Sequence, residues 1–257
     1  MGARPSLPVV GPGFARRTRA RSGRRRAVRE GRLRGVAVRS GRRRLLFADE
    51  SEASVRDLAA MMLTISDNTA TDLLAARAGL DRVAATLAEL GLAGTVIPCT
   101  LREMLDAVGR EAGLAGWAEL AAAPDMGERL RGPLRAIHAI RTTPADMARL
   151  LRLIWRGEAG PEEACAAVRE LMARQVTRQR LALGFPHDVR VAAKSGSLFG
   201  VVRNEIGVVR LPDGRRYAAA VFTRAERPYV NEHAINAAIG AAAAAAVQAL
   251  RVSADKN

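Results

Sequence analysis

The segment LTISDNTATDLL, residues 63–74, places three small polar side chains, Ser66, Asp67 and Asn68, between two stretches rich in Ala and Leu. The stretch before it has apolar residues at helical spacing and carries Ser54 at the position of an N-cap. The stretch after it predicts a second helix that ends at a glycine. The polar triplet is therefore predicted to form a turn between two helices. It serves either as a plain helix cap or as one wall of a ligand site.

The apolar pattern outside this turn changes its period along the chain. Helices are predicted over residues 54–66, 68–79, 80–91, 100–113, 142–157 and 161–175. From residue 189 the apolar residues recur at every second position, which predicts strands over 189–198, 203–211 and 216–224. A last helix is predicted over 230–250. Helices, an antiparallel meander and a packing helix together predict an α+β fold. We divide the chain into an arm (1–48), a helical subdomain (49–190) and a strand-and-helix part (191–257).

The net charge of +15 at pH 7 comes almost entirely from one end of the chain. Residues 1–48 hold fifteen Arg and one acidic residue, Glu30, whereas residues 49–257 hold 26 basic and 25 acidic residues. We expect a largely disordered or non-native arm, whose second half allows a helix end at 25–33 and a weak hairpin at 35–47. Blocks of like charge bind polyanions, so nonspecific binding to nucleic acid or anionic membrane is expected of the arm.

Composition argues against several other classes of protein. The longest apolar run, AAIGAAAAAAV at 237–247, is too short to cross a bilayer, and the N-terminus lacks the apolar core of a signal peptide. We therefore expect a cytoplasmic monomer without a membrane span. Cys99 and Cys165 predict two buried thiols, with a single bridge between them as the alternative. Neither they nor the three scattered His show metal-ligand spacing, so we expect no metal and no cofactor.

A second short polar segment, KSG at 194–196, is followed by Ser197 on the first predicted strand. Lys194 is the only lysine before the C-terminal tail in a chain with 39 Arg. The pKa of a lysine falls on burial, so its ammonium can exchange protons, whereas an arginine stays charged. We therefore expect Lys194 to take part in proton transfer. An ordinary solvated strand residue is the alternative.

The ordered pair of S-D-N (66–68) and K-S-G (194–196) resembles the motifs of penicillin-recognising serine hydrolases, particularly class A β-lactamases. RTTPADMARLL at 141–151 and RNEIGVVRLPDGRRYAAAVFT at 203–223 add to the resemblance, which covers residues 54–250. It implies a β-lactamase/transpeptidase-like fold, with a helical subdomain and an antiparallel sheet flanked by helices. It also implies acyl-enzyme chemistry on β-lactam, peptidoglycan-like or related amide and ester substrates, without a cofactor.

The resemblance implies catalytic roles for three residues. Ser66 Oγ would relay a proton to the leaving nitrogen, and Lys194 would lower the cost of that transfer. Glu103 lies near the place of the family's water-activating Glu, although the text around it reads E-M-L-D. A solvent-facing helix residue is the alternative for Glu103. Asp67 would point inward and brace the turn.

The resemblance also implies a set of substrate contacts. Asn68 would hydrogen-bond a substrate amide. Lys194, Ser195 and Ser197 would hold the substrate carboxylate with one ammonium and two hydroxyls. The Ser197 N–H would form half of an oxyanion hole, because Gly196 lets the substrate come close to the strand.

The resemblance breaks at the nucleophile. In the family this serine lies in an S-x-x-K motif upstream of S-D-N, and residues 1–65 contain no lysine. The string S-x-x-K occurs once, as SADK at 253–256, after the last predicted helix and out of reach of Ser66 without refolding. We therefore expect the N-terminal part of the sheet domain to be disrupted, by a shifted reading frame or a misassigned start. The chain is then either a hydrolase without turnover or a noncatalytic protein that binds a ligand, or polyanions through its basic arm.

Overall fold

The computed structural model describes residues 33–34, 52–130, 135–226 and 230–254. The hairpin predicted at 35–47 and nearly all of the arm lie outside these residues. Leu33–Arg34 form strand β1, which pairs antiparallel with β2 (Glu52–Ala53). Of the segment 25–33, which allowed a helix end, only Leu33 lies among the described residues, and it belongs to this strand. The described residues belong to one compact unit, Gly31–Asn257.

Eight α-helices precede the main sheet within the described residues. They are α1 (Val55–Thr64), α2 (Asn68–Ala78), α3 (Leu80–Glu89), α4 (Leu101–Glu111), α5 (Trp117–Ala122), α6 (Met126–Arg129), α7 (Pro144–Arg156) and α8 (Glu162–Ala173). The six helices predicted for this block are confirmed to within a few residues at their ends. The two short helices α5 and α6 are not predicted, because four to six residues carry too few repeats of the helical period.

Local sequence explains where the longer helices begin and end. Ser54 and Thr100 start α1 and α4 with capping boxes, in which the side chain three residues later accepts a hydrogen bond from the cap backbone. Thr143 caps α7, whose first residue is Pro144, and Gly157 ends that helix in the left-handed conformation with φ of 73°. The N-cap predicted at Ser54 is therefore confirmed.

The main sheet has three antiparallel strands in the described chain, β3 (Arg190–Leu198), β4 (Val202–Arg210) and β5 (Arg216–Arg224), in the order β3-β4-β5. The register places Lys194 opposite Ile206 and Ser195 opposite Glu205. Strand β3 is thus an edge of this sheet, and the KSG segment runs along that edge.

The last helix, α9 (Glu232–Ala254), packs across the sheet and against a short 3-10 helix at Leu181–Gly184. The core between them consists of eight buried apolar residues: Leu181, Val191, Ala193, Val209, Leu211, Ile239, Ala243 and Val247. By length and composition alone, residues 232–253 could cross a membrane, which the apolar run 237–247 did not indicate. A buried stripe against the sheet is what a core helix shows, so this is weak evidence for a membrane span.

Both cysteines are free. Cys165 is buried on α8 and Cys99 is half-buried before α4. The prediction of two free thiols is confirmed, but its expectation of burial holds for Cys165 and is wrong for Cys99; the alternative of a bridge between them is also wrong.

Candidate functional site

The S-D-N segment is a tight turn between α1 and α2. The backbone N–H of Asp67 donates to Met61 O at 3.2 Å, and the Asp67 carboxylate accepts from the Ala70 N–H at 2.7 Å. Asp67 is therefore the N-cap of α2, and the interpretation as a helix cap holds for this residue. The turn leaves Ser66 exposed, with a positive φ of 60°, which is uncommon for a residue other than glycine.

Lys194, on β3, contacts this turn directly. Its Nζ donates to Ser66 Oγ at 2.9 Å and to the Ser195 carbonyl at 2.7 Å. The structure thus brings together two residues that are 128 positions apart in the chain. Burial lowers the pKa of Lys194 to about 8; the charge of Glu205 opposes this shift and the charge of Arg180 adds to it.

The backbone of β3 shows which side of the strand is open. The Ser195 N–H donates to the Gln175 side chain rather than to β4, so the N–H and C=O of Ser195 point away from the sheet. Because these groups alternate along a strand, the N–H of Ser197 points to the same side. The Lys194 ammonium, bonded to the Ser195 carbonyl, lies at this open edge together with Ser66.

The chain that follows α8 fixes the turn relative to the strand. The Val176 N–H donates to Thr64 O at 3.0 Å, which ties this segment to the end of α1. The Gln175 amide donates to Thr177 O at 2.7 Å and to Glu205 Oε1 at 3.0 Å, while its oxygen accepts from β3. Gln175 is 5% exposed. One buried amide therefore connects the helix that carries the turn to both strands behind it.

Arg180, only 3% exposed, lies behind the KSG segment. Its guanidinium donates to Ser197 Oγ at 2.5 Å, to Gly196 O at 2.8 Å, to Asn204 O at 2.6 Å and to Asn236 Oδ1 at 3.1 Å. Burial lowers the pKa of Arg180, which nevertheless remains charged because free guanidinium titrates far above neutral pH. A fixed positive charge is thus held directly against Ser197.

Glu205 on β4 is the buried acidic partner of these cations. It is 1% exposed and accepts from the Leu181 N–H at 2.5 Å and from the Gln175 amide. Burial raises the pKa of Glu205, while its hydrogen bonds and the charges of Arg180 and Lys194 lower it. A carboxyl in this position compensates two cations that would otherwise be buried alone.

Sequence reasoning missed Arg180, Gln175 and Glu205. A signal for Glu205 was present: Arg203 and Glu205 stand two apart in the middle of an apolar strand, on one face, where charged residues need partners. Arg180 has no such signal among 39 Arg. Gln175 could not be found from sequence, since its role depends on tertiary contacts.

The other predicted residues fall in two places. Asn68, Ser195, Gly196 and Ser197 lie on the turn or the strand beside Lys194. Glu103 is exposed in the first turn of α4, where its carboxylate accepts from the Thr100 N–H at 2.7 Å and Oγ1 at 2.8 Å; these bonds lower its pKa. Its carboxylate serves this helix cap, and its role as a water-activating base stays a prediction.

A large cavity is lined by residues of the helices and of strands β3, β4 and β5. Its volume is about 1410 Å³, and apolar side chains form most of its wall, among them Leu87, Ile97, Met147, Leu198, Phe199 and Phe222. Leu198 and Phe199 directly follow the KSG segment and Ser197.

Among the residues that the structure describes, no three His, Cys, Asp or Glu side chains are grouped so that they could hold a metal ion.

The helices, the three-stranded sheet and the facing Ser and Lys define the class of the penicillin-recognising serine hydrolases. The family model described as Beta-lactamase enzyme family matches residues 20–250. The chain therefore belongs to the Beta-lactamase enzyme family. The match begins within residues 1–48, so it includes part of the segment interpreted as an arm.

Individual proteins of known sequence or structure are also similar to this chain. Beta-lactamase regulatory protein BlaB of Streptomyces cacaoi is 29% identical over 200 residues, which are 71% of this chain and 64% of BlaB, so the chain spans under two thirds of that relative. A β-lactamase of Sphaerobacter thermophilus is 28% identical, with a TM-score of 0.59 over 80% of this chain and 67% of that structure. PBP-A is 25% identical, with a TM-score of 0.62 over 85% and 72%. The predicted β-lactamase/transpeptidase-like fold is confirmed.

Proposed function

We propose that this chain binds an amide ligand with a carboxylate, such as a β-lactam or a peptidoglycan-like peptide, at the open edge of β3. The observation that carries this proposal is the 2.9 Å contact between Lys194 Nζ and Ser66 Oγ. It places a hydroxyl and an ammonium side by side at the open edge of β3, where both can contact the same ligand.

The carboxylate of such a ligand would lie between two cationic groups. The Lys194 ammonium is bonded to the Ser195 carbonyl, and the Arg180 guanidinium is bonded to Ser197 Oγ. The Ser197 hydroxyl accepts a hydrogen bond from Arg180, which leaves its own proton free to be donated. A hydroxyl polarised by a guanidinium, with an ammonium nearby, is a strong donor set for an anion.

The amide carbonyl of the ligand would use the strand itself. The Ser197 N–H points to the open edge and can donate to a carbonyl oxygen. A Cβ built on Gly196 would meet no atom within 4 Å, so the space beside this residue is open. Asn68, exposed beside Ser66, would bind an amide on the other side of the ligand.

We propose binding rather than turnover by the family's usual route. Within these 257 residues the string S-x-x-K occurs only at 253–256, at the end of α9. BlaB, which the chain resembles over 200 residues, is named as a regulatory protein rather than a hydrolase, which supports a binding role. An acyl-enzyme cycle in this chain would require a nucleophile other than an S-x-x-K serine.

Calorimetric titration of the full chain with penicillin G tests this proposal. We expect binding that Lys194→Met weakens about tenfold or more, since a charge-assisted bond is lost, while Lys256→Met, the other lysine of the chain, changes nothing. A penicillin methyl ester, which lacks the carboxylate, should bind as weakly as the acid binds to Lys194→Met. No binding of penicillin G, or equal binding of acid and ester, contradicts the proposal.

A second function is favoured by charge alone. We propose that the fifteen Arg of residues 1–48 bind polyanions without sequence preference. Retention of the full chain on a heparin column should fall steeply with salt. It should be lost when these Arg are changed to Gln, and retention by that variant equal to wild type would contradict the proposal.

A further inference from the structure

We infer that Ser66 is itself a nucleophile, which a bound β-lactam acylates with Lys194 as the base. This inference rests on the proposed function, because the ligand must first occupy the open edge of β3. It differs from the relay role that the family resemblance implies for Ser66, and it gives this chain a covalent reaction without an S-x-x-K motif.

The contact between the two side chains has the geometry of an activated nucleophile. Ser66 Oγ and Lys194 Nζ are 2.9 Å apart, within the reach over which a serine passes its proton to a neighbouring base. Pairs of serine and lysine replace the serine–histidine pair in several unrelated enzymes. Among the described serines, Ser66 is the one whose hydroxyl contacts a lysine amine, since Lys194 meets Ser195 only at its backbone carbonyl.

The backbone around Ser66 is also arranged as nucleophile turns are. Ser66 has φ of 60° and lies exposed immediately before the first turn of α2. Positive φ in a residue other than glycine costs free energy and is concentrated at functional sites. The N–H groups of Asn68 and Thr69 have no acceptor among the described residues, because the Asp67 cap takes the N–H of Ala70. The positive end of α2 therefore lies next to Ser66 and favours charge that develops there.

The state of Lys194 is compatible with this role. With a pKa of about 8, a substantial part of the amine is neutral in mildly alkaline solution, so it can accept a proton as well as donate one. Arg180, Glu205 and the Ser66 turn are the charged or polar groups that face it. Burial raises the pKa of Glu205, and its hydrogen bonds from the Leu181 N–H and the Gln175 amide oppose that shift.

The chemical step balances without a further reagent. The neutral Lys194 amine takes the Ser66 proton as Oγ forms a bond to the β-lactam carbonyl carbon. The carbon–nitrogen bond of the ring then breaks, and the proton passes from Lys194 to the released nitrogen. The product is an ester on Ser66 with the opened ring attached, and Lys194 is again neutral. The Ser197 N–H would stabilise the oxyanion of the intermediate.

Labelling of the full chain with a fluorescent penicillin, followed by mass spectrometry of the intact protein and of its peptides, tests the inference. The affinity for penicillin falls as the Lys194 ammonium loses its proton, so the chain is saturated with penicillin at each pH. We then expect one adduct, on Ser66, at a rate that rises with pH and levels off above about 8, the pKa of Lys194. Ser66→Ala should lose the adduct while its midpoint of urea denaturation stays close to that of wild type, which shows that the variant is folded. Lys194→Arg keeps the positive charge but cannot act as the base, so labelling should fall about 100-fold and lose its dependence on pH.

Ser253→Ala is the matched control, since it removes the serine of the only S-x-x-K string, and its labelling should equal wild type. Penicillin binding without an adduct overturns the inference and leaves the proposed binding function intact. An adduct on another serine, or an adduct that persists in Ser66→Ala, also overturns it. If neither binding nor labelling occurs, the proposed function fails together with the inference.

Discussion

The two sides of strand β3 are built differently. At the open edge, within the described residues, the Lys194–Ser66 contact is the one side-chain hydrogen bond between β3 and the turn before α2, and Ser66 is exposed. Gln175, which accepts from the Ser195 N–H at this edge, and Arg180 and Glu205 behind it are each at most 5% exposed and are connected by hydrogen bonds to the two strands. Groups at the edge can change protonation and partners at little cost, whereas the buried network is fixed by mutual compensation of charge. The difference indicates that reactivity and positioning are divided between the two sides.

Breaking the buried side should have the largest effect on stability. Glu205→Ala leaves the Leu181 N–H and the Gln175 amide without their acceptor and removes the negative charge that compensates the buried Arg180, so we expect the free energy of unfolding to fall by about 3–5 kcal/mol. Urea denaturation measures this. Glu158→Ala, an exposed glutamate after α7, should change stability by less than about 0.5 kcal/mol. A loss from Glu205→Ala no larger than the control's would show that the network is not structural.

Removing the amide that links the two sides should have an intermediate effect. Gln175→Ala leaves the Ser195 N–H without an acceptor and removes one of the two hydrogen-bond donors to Glu205, and we expect a loss of about 1–3 kcal/mol in urea denaturation. Penicillin affinity should fall as well, since the turn that carries Ser66 is held through this segment. The exposed Gln179→Ala is the matched control. Unchanged penicillin affinity in Gln175→Ala would show that this buried amide does not position the ligand site.

The dependence of stability on pH isolates Lys194. Its pKa is about 8 in the folded chain against 10.5 for an unperturbed lysine, so between these values the unfolded chain binds more protons. The contribution of Lys194 to stability therefore rises with pH across this window. Urea denaturation at several pH values should show wild type gaining stability relative to Lys194→Met from pH 8 to 10.5. A stability difference between wild type and Lys194→Met that stays constant with pH would indicate that the Lys194 side chain is solvated.

The smallest effect on stability is expected at Gly196. A Cβ there meets nothing within 4 Å, so Gly196→Ala should change the free energy of unfolding by less than about 0.5 kcal/mol. The methyl group would project into the space proposed for the ligand, so penicillin affinity should nevertheless fall. Gly127→Ala on α6, equally open, should affect neither quantity. Full affinity in Gly196→Ala would place the ligand elsewhere.

Sequence patterns predicted more of the fold than of the site. The helical spacing of apolar residues, the cap at Ser54 and the change of period after α8 predict the helices and strands, because these signals are local. Ser66 and Lys194 were identified from their motifs and from the rarity of lysine. Gln175 and Arg180 were not, because a buried amide or guanidinium acquires its role only from partners that are distant in sequence.

The protonation of Lys194 can be measured directly, because the chain has only two lysines. In a sample labelled with ¹³C at lysine Cε, NMR should show two lysine signals, and Lys194→Arg identifies which belongs to the site. We expect the Lys194 signal to titrate with a pKa of about 8 and to shift when penicillin G is added. A Lys194 signal that titrates near 10.5 and does not respond to penicillin G would contradict both the facing pair and the site built on it.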